Sequence, residues 1–246
     1  MKVDIIYVGA LMLCMALFVR YRKSFAPPHS KVTLATFILP SSVVATDMPQ
    51  TVKFTTICEK PKIITISNFL TSEECQWLID HAEPKLARSK VQTGISPDRT
   101  SHTTFLTKGG EGPIKEIEQR ASLIAQVPTT HLEPLQVVRY KPGEFYKHHY
   151  DYFEKSHSTR ETLKRYGQRT TTLFVYLNDM QPGETGGHTS FDKIGLTVSP
   201  VKGTAVLWHN TQPDGKVDEG TFHGGDSPVV STKYGLNIWV REKAWK

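Results

Sequence analysis

Gln136-Val-Val-Arg-Tyr-Lys-Pro-Gly-Glu-Phe-Tyr-Lys-His-His-Tyr-Asp-Tyr-Phe153 decides how this chain of 246 residues is read. Leu135–Tyr140 is an apolar run of strand length, broken by Pro142-Gly143. Further short runs at Thr170–Leu177, Leu196–Ser199, Thr204–His209 and Tyr234–Arg241 are apolar or alternating, and Gly, Pro, Asn and Asp punctuate them. So many short strands predict a jelly-roll barrel. Within the quoted stretch, His149 and Asp151 are two residues apart. On a strand, residues i and i+2 share a face, so both can reach one ion. His148 would point to the opposite face and is left out of the set.

His223 is the third candidate ligand. Two histidines and one carboxylate form a facial set that leaves positions open on iron(II) for a co-substrate and dioxygen. Lys233 then supplies a fixed positive charge for a dianionic co-substrate. Taken bare, His-x-Asp is a weak signal, and a surface histidine beside a solvated aspartate explains it equally well. Without His223 ten residues earlier, Lys233 reads as a solvated strand lysine.

The surrounding blocks carry more. Gln168-Arg-Thr-Thr-Thr-Leu-Phe-Val-Tyr-Leu-Asn-Asp179 is followed by Gly186-Gly-His-Thr-Ser-Phe191. His223-Gly-Gly-Asp-Ser-Pro-Val-Val-Ser-Thr-Lys233 and Asn237-Ile-Trp-Val-Arg241 complete the series. In this order the blocks resemble the catalytic domain of prolyl 4-hydroxylases, within the iron(II)- and 2-oxoglutarate-dependent dioxygenases. The resemblance runs from about Ile63 to the C-terminus.

It implies an α+β, mainly β fold: a double-stranded β-helix (jelly-roll) core with supporting N-terminal helices, over residues 56–246. The implied reaction hydroxylates peptidyl proline to 4-hydroxyproline and decarboxylates 2-oxoglutarate to succinate, with Fe(2+), O2 and L-ascorbate. By the same resemblance His149, Asp151 and His223 hold the iron. Lys233 pairs with the distal carboxylate of 2-oxoglutarate, and the hydroxyls of Tyr140 and Thr189 help to bind it. Tyr146, Arg169 and Trp239 line a peptide channel, and Arg99, in Arg99-Thr-Ser101, belongs to a mobile loop covering it. Aromatic walls suit a proline-rich peptide preorganised as polyproline II. Tyr146 and Trp239 read equally as core aromatics, Tyr140 as a core tyrosine and Thr189 as a turn threonine. The family's usual Gly-Gly-Glu-Thr is Gly186-Gly-His-Thr189 here, and His188 is read as a surface residue.

Two helices precede the strands. Thr71-Ser-Glu-Glu74 is a capping box opening a helix toward Ala82. Pro113 suits a first helical position, and Ile114, Ile117, Ala121 and Ile124 form a helical stripe. A strand at Lys62–Ile66 lies before both. Of three cysteines, Cys75 falls on the apolar stripe of the first helix as a buried free thiol. A Cys58–Cys75 bridge is left open, and zinc-binding spacings are absent from the sequence.

Ile5–Val19 is a charge-free apolar segment, and Pro27 follows the only small-x-small cleavage pattern. Residues 1–23 are therefore read as a retained signal anchor in the membrane, with 24–55, rich in Ser, Thr and Pro, as a stem or linker. More positive charge follows the anchor than precedes it, which argues for a cytoplasmic domain. The family resemblance argues instead for the endoplasmic reticulum lumen or secretory pathway. The net charge of +6 is concentrated here. Residues 1–31 hold five basic side chains against Asp4, leaving a net of two for the remainder, so no nucleic-acid partner is expected. Three readings compete with a prolyl hydroxylase: a peptidyl-lysyl hydroxylase, a nucleic-acid demethylase, and a non-catalytic jelly-roll binding module. Lys233 in place of arginine counts against the demethylase. The intact His149, Asp151 and His223 set counts against the binding module.

Overall fold

The computed structural model describes residues 51–91 and 94–245. The expected anchor and nearly all of the expected stem lie outside the described residues. Among the described residues, no helix is long and apolar enough to cross a membrane. Two antiparallel sheets face each other. The larger contains β1 (Lys53–Cys58), β2 (Ile63–Ser67), β3 (Ala87–Arg88), β4 (His102–Phe105), β5 (Gln136–Tyr140), β7 (Arg169–Tyr176), β10 (Ala205–His209) and β12 (Lys233–Arg241), in the order β1-β2-β10-β7-β12-β5-β4-β3. The smaller contains β6 (Tyr146–His149), β8 (Thr189–Phe191), β9 (Leu196–Val198) and β11 (His223–Gly225), ordered β6-β11-β8-β9. This is the expected double-stranded β-helix. Strand pairing begins at Lys53, so the sheet reaches back into the segment expected as stem.

Among the described residues the helices are α1 (Ser72–Ala82), α2 (Ile114–Ala125) and the short α3 (Arg160–Tyr166). α1 starts where the sequence says. The Thr71 hydroxyl accepts from the Glu74 amide at 3.1 Å, and the Glu74 carboxylate accepts from the Thr71 amide at 2.9 Å. Glu74 also pairs with Arg120 of α2 at 2.9 Å, tying the two helices together. Their apolar faces bring Cys75, Leu78, Ile114, Ile117 and Ala121 onto one face of the large sheet. Both Cys58 and Cys75 are free thiols, so no bridge joins them.

Strand alternation divides the large sheet into two faces. On β7, Leu173 and Val175 pack under the helices, whereas Phe174 and Tyr176 look toward the small sheet. On β10 the same split sends Leu207 to the helices and Val206 and Trp208 inward. On β12, Leu236, Ile238 and Val240 join the helix-side core, so Lys233, Asn237 and Trp239 occupy the inward register. Gly235 lies between them because a Cβ there would sit 2.3 Å from the Phe174 ring. The inner face thus mixes aromatics with a few polar groups, and the site grows from it.

Candidate active site

β6 and β11 pair so that His149 and His223 are direct cross-strand partners. Asp151 lies two residues beyond His149, past the last residue of β6. The expectation that both residues share one strand is therefore corrected: the chain bends after His149 and carries the carboxylate back beneath it. Ligand-capable atoms of His149, Asp151 and His223 all lie within 4.8 Å of one another. Each histidine Nε2 is 3.7 Å from an Asp151 oxygen. Among the described residues this is the one such group. His148 lies outside it, with its Nε2 3.0 Å from Ser190 Oγ and from Asp192 Oδ1.

The hydrogen bonds behind the cluster set its donor chemistry. His149 Nδ1 lies 2.9 Å from the Lys147 carbonyl, and His223 Nδ1 lies 2.8 Å from the Thr221 carbonyl. A carbonyl can only accept, so both protons sit on Nδ1 and both Nε2 lone pairs face the cluster. Burial, with His149 beside it, lowers His223 to about 4. Burial pushes Asp151 upward, but the neighbouring His149, His223 and Arg169 outweigh that and hold the carboxyl well below its ordinary range. Two imidazoles with Nε2 turned inward and one ionised carboxylate fit a divalent first-row metal such as iron(II).

Lys233 lies on the same inner face, opposite Tyr140 in the β5–β12 ladder, and is 1 % exposed. Among the described residues, no carboxylate approaches its ammonium at ion-pair distance. Its ammonium donates to the His188 carbonyl at 3.3 Å. Burial lowers it to about 7, opposed by the more distant Asp226. The rings of Phe174, Tyr140 and Tyr176 surround it at 5.1, 5.4 and 5.5 Å. Thr189 is buried, with its hydroxyl 2.9 Å from that of Tyr176, whose single proton also has the Val198 carbonyl as an acceptor at 3.1 Å. Burial also raises Tyr140, so its phenol stays protonated. A desolvated cation flanked by hydroxyl donors, in one cavity with the His149 cluster, is a receptor for a carboxylate.

The same cavity is walled by Tyr146, Trp239 and Arg99, and it opens into an outer groove bordered by Arg169, Phe153 and Tyr150. Tyr146 stacks on His149 at 3.6 Å, and the Arg99 guanidinium lies 4.6 Å above the Tyr146 ring. Arg99 is buried and donates to Ser101 Oγ at 3.2 Å and to Gln136 Oε1 at 3.1 Å. These bonds build it into the wall of the cavity. Arg169 grips Glu133 through two bonds of 2.7 and 2.8 Å and lies flat on Trp239 at 3.9 Å.

All ten residues singled out in the sequence thus meet at one cavity and its mouth. Sequence reading did not single out Glu133, Tyr176, Thr172 or Asn210. Strand alternation from Phe174 could have flagged Thr172 and Tyr176 as inward-facing. His188 was expected at the surface but is half-buried, with an unpartnered Nδ1.

A family model for the 2-oxoglutarate–iron(II) oxygenase superfamily matches residues 135–241. The chain is 36% identical over 212 residues to probable prolyl 4-hydroxylase 10 of Arabidopsis thaliana, covering 76% of this chain and 71% of that protein. It is 39% identical over 202 residues to prolyl 4-hydroxylase 1 of the same plant, covering 75% and 70%. This chain belongs to the prolyl 4-hydroxylase family. A crystal structure of the viral collagen prolyl hydroxylase of Paramecium bursaria Chlorella virus-1, in complex with 2-oxoglutarate, matches it with a TM-score of 0.60 and 29% identity, over 75% of this chain and 98% of that one. For a prolyl 4-hydroxylase, iron(II), 2-oxoglutarate and dioxygen are the reaction's requirements, and the donor set around Asp151 and the cation at Lys233 fit the first two.

Proposed function

We propose that this chain hydroxylates peptidyl proline to 4-hydroxyproline, with His149, Asp151 and His223 as the iron ligands. The observation that carries the proposal is a buried lysine with no carboxylate at ion-pair distance among the described residues, in one cavity with two imidazoles and an ionised aspartate. Bound iron(II) supplies the activation of dioxygen, coupled to decarboxylation of 2-oxoglutarate to succinate. The protein's own groups do the placing. Lys233 holds the distal carboxylate of the co-substrate, and the Tyr140 and Thr189 hydroxyls donate to it. Tyr146, Trp239 and Arg169 form the aromatic and cationic walls against which a polyproline II segment packs. Arg99 braces Tyr146 from behind. L-ascorbate serves as the reductant that keeps the metal ferrous.

The deciding experiment incubates residues 51–246 with iron(II), 2-oxoglutarate, ascorbate and a panel of proline-rich and lysine-containing peptides, read by mass spectrometry. A gain of one oxygen on proline, matched by succinate, is expected. Oxygen gained on lysine only, or succinate formed without any peptide product, would overturn the assignment. We further propose that 1–23 is a retained anchor and that the domain faces the secretory lumen. N-terminal sequencing of the expressed protein should begin ahead of residue 24, and a start near 27 would replace the anchor with a cleaved signal.

A further inference from the structure

The face of Asp151 turned away from the histidines leads into a chain of two fully buried polar side chains. Thr172, on β7, donates its hydroxyl to Asp151 Oδ2 at 2.7 Å. Asn210, one residue past the end of β10, donates from Nδ2 to the Thr172 hydroxyl oxygen at 2.9 Å. Thr172 and Asn210 are both 0% exposed. A hydroxyl has one proton, and here its direction is forced. Asn210 occupies a lone pair of Thr172 Oγ1, so the proton has Asp151 as its acceptor. Asn210 is itself held through its backbone, its amide donating to the Thr170 carbonyl at 2.8 Å and its carbonyl accepting from the Asp218 amide at 2.9 Å. The relay therefore runs from a pinned backbone to one named carboxylate oxygen.

Trp208, two residues before Asn210, lies across the ladder from Thr172. Its ring is 4.6 Å from that of His223. One strand end thus supports two members of the cluster, His223 by ring contact and Asp151 through Thr172. Asp151 needs this support because it has left β6 and has no ladder of its own to fix it.

We propose that Thr172 and Asn210 are positioning residues that fix the rotation of the Asp151 carboxylate, and so the affinity of the His149, Asp151 and His223 site for its metal. This rests on the metal-centre reading above. Neither residue lines the cavity that holds Lys233. Partners behind metal ligands typically change metal affinity about 10–100-fold when removed.

The test titrates the full chain with Mn(II) as a redox-stable probe, without 2-oxoglutarate, by calorimetry. Thr172→Val keeps the shape and removes the donor, and Thr172→Ser restores it. Asn210→Asp offers the Thr172 proton a competing acceptor and reverses the relay. We expect Thr172→Val and Asn210→Asp to weaken Mn(II) at least tenfold and Thr172→Ser to remain within threefold of wild type. Metal-free thermal midpoints of Thr172→Val and Thr172→Ser should be equal, and the KM for 2-oxoglutarate at saturating iron should be unchanged. Wild-type affinity in Thr172→Val, or a loss in Thr172→Ser equal to that in Thr172→Val, overturns the inference and leaves the metal centre standing. Failure of the wild type to bind Mn(II) overturns the metal centre and the inference with it.

Discussion

Lys233 and Tyr140 face each other across the β5–β12 ladder, with the ammonium 5.4 Å from the centre of the phenol ring. Three aromatic rings and a carbonyl make this a poor solvent for a bare cation. The protein keeps the lysine there although it lowers the proton affinity, which is the arrangement expected where an anionic ligand completes the pair.

Replacing Lys233 should therefore act on the co-substrate and not on the metal. Lys233→Ala should raise the KM for 2-oxoglutarate by an amount equivalent to about 2–5 kcal/mol, the usual loss when one member of a buried charge pair is removed. Lys233→Arg should be impaired as well, because the planar fork needs more room than the ammonium leaves. Mn(II) affinity should survive both changes. Steady-state kinetics and a metal titration on the same variants check this, and an alanine variant with unchanged dependence on 2-oxoglutarate would refute the role.

The same burial predicts a pH dependence. Lys233 is lowered from 10.5 to about 7. Between those values the unfolded chain holds a proton that the folded chain has released, so this residue makes stability rise with pH across that window and contributes its full penalty below it. A bound dianion favours the ammonium and raises it again. Binding of 2-oxoglutarate at about pH 8 should thus take up a proton and weaken as pH rises further, by at most about tenfold per unit. Calorimetry in buffers of differing ionisation enthalpy measures the uptake, which should vanish in Lys233→Ala.

Glu133 is shared by two guanidiniums, Arg169 at 2.7 Å and the fully buried Arg241 at 3.5 Å. Glu133→Gln would leave two cations with no carboxylate between them. It should destabilise the fold by about 3–5 kcal/mol, the range for breaking a buried pair from one side. It should also raise the KM for peptide by loosening the Arg169–Trp239 stack. Urea unfolding reads the first effect, and a midpoint within experimental error of wild type would exclude the shared-pair role.

The capping box of α1 offers a milder test. Thr71→Ala removes one reciprocal bond and should cost about 1 kcal/mol. Activity per folded molecule should not change, because α1 packs on the face of the sheet opposite the cavity.

Much of this architecture was legible in the sequence because apolar alternation and caps are local signals. β5, β7, β10 and β12 were located to within two residues, and α1 and α2 start where Thr71 and Pro113 indicate. β3 and β4 were missed. They carry Arg88, His102 and two threonines, and they are strands because β4 pairs with β5 and β3 in turn with β4. The ligand cluster was legible through residue type and order, but the bend after His149 was not. Thr172 and Asn210 were invisible for a different reason: a threonine in a β-branched strand and an asparagine after it look like ordinary strand and turn residues. Their role depends on two strands meeting from distant parts of the chain.

The direct pairing of His149 with His223 has a mechanical consequence. β6 and β11 are only four and three residues long, and their register slips between His223 and Gly225. An ion gripped by both histidines is a clasp across this short seam. A ligand that binds the folded form alone adds about 2.7 kcal/mol at a hundredfold excess over its dissociation constant. That gain falls first on the small sheet. After chelation, amide hydrogens of residues 146–149 and 223–225 should exchange with solvent early, while those of β7 and β12, at the centre of the large sheet, keep their protection. The enzyme would then carry its metal status as a local looseness in one sheet, legible by exchange before any turnover is measured.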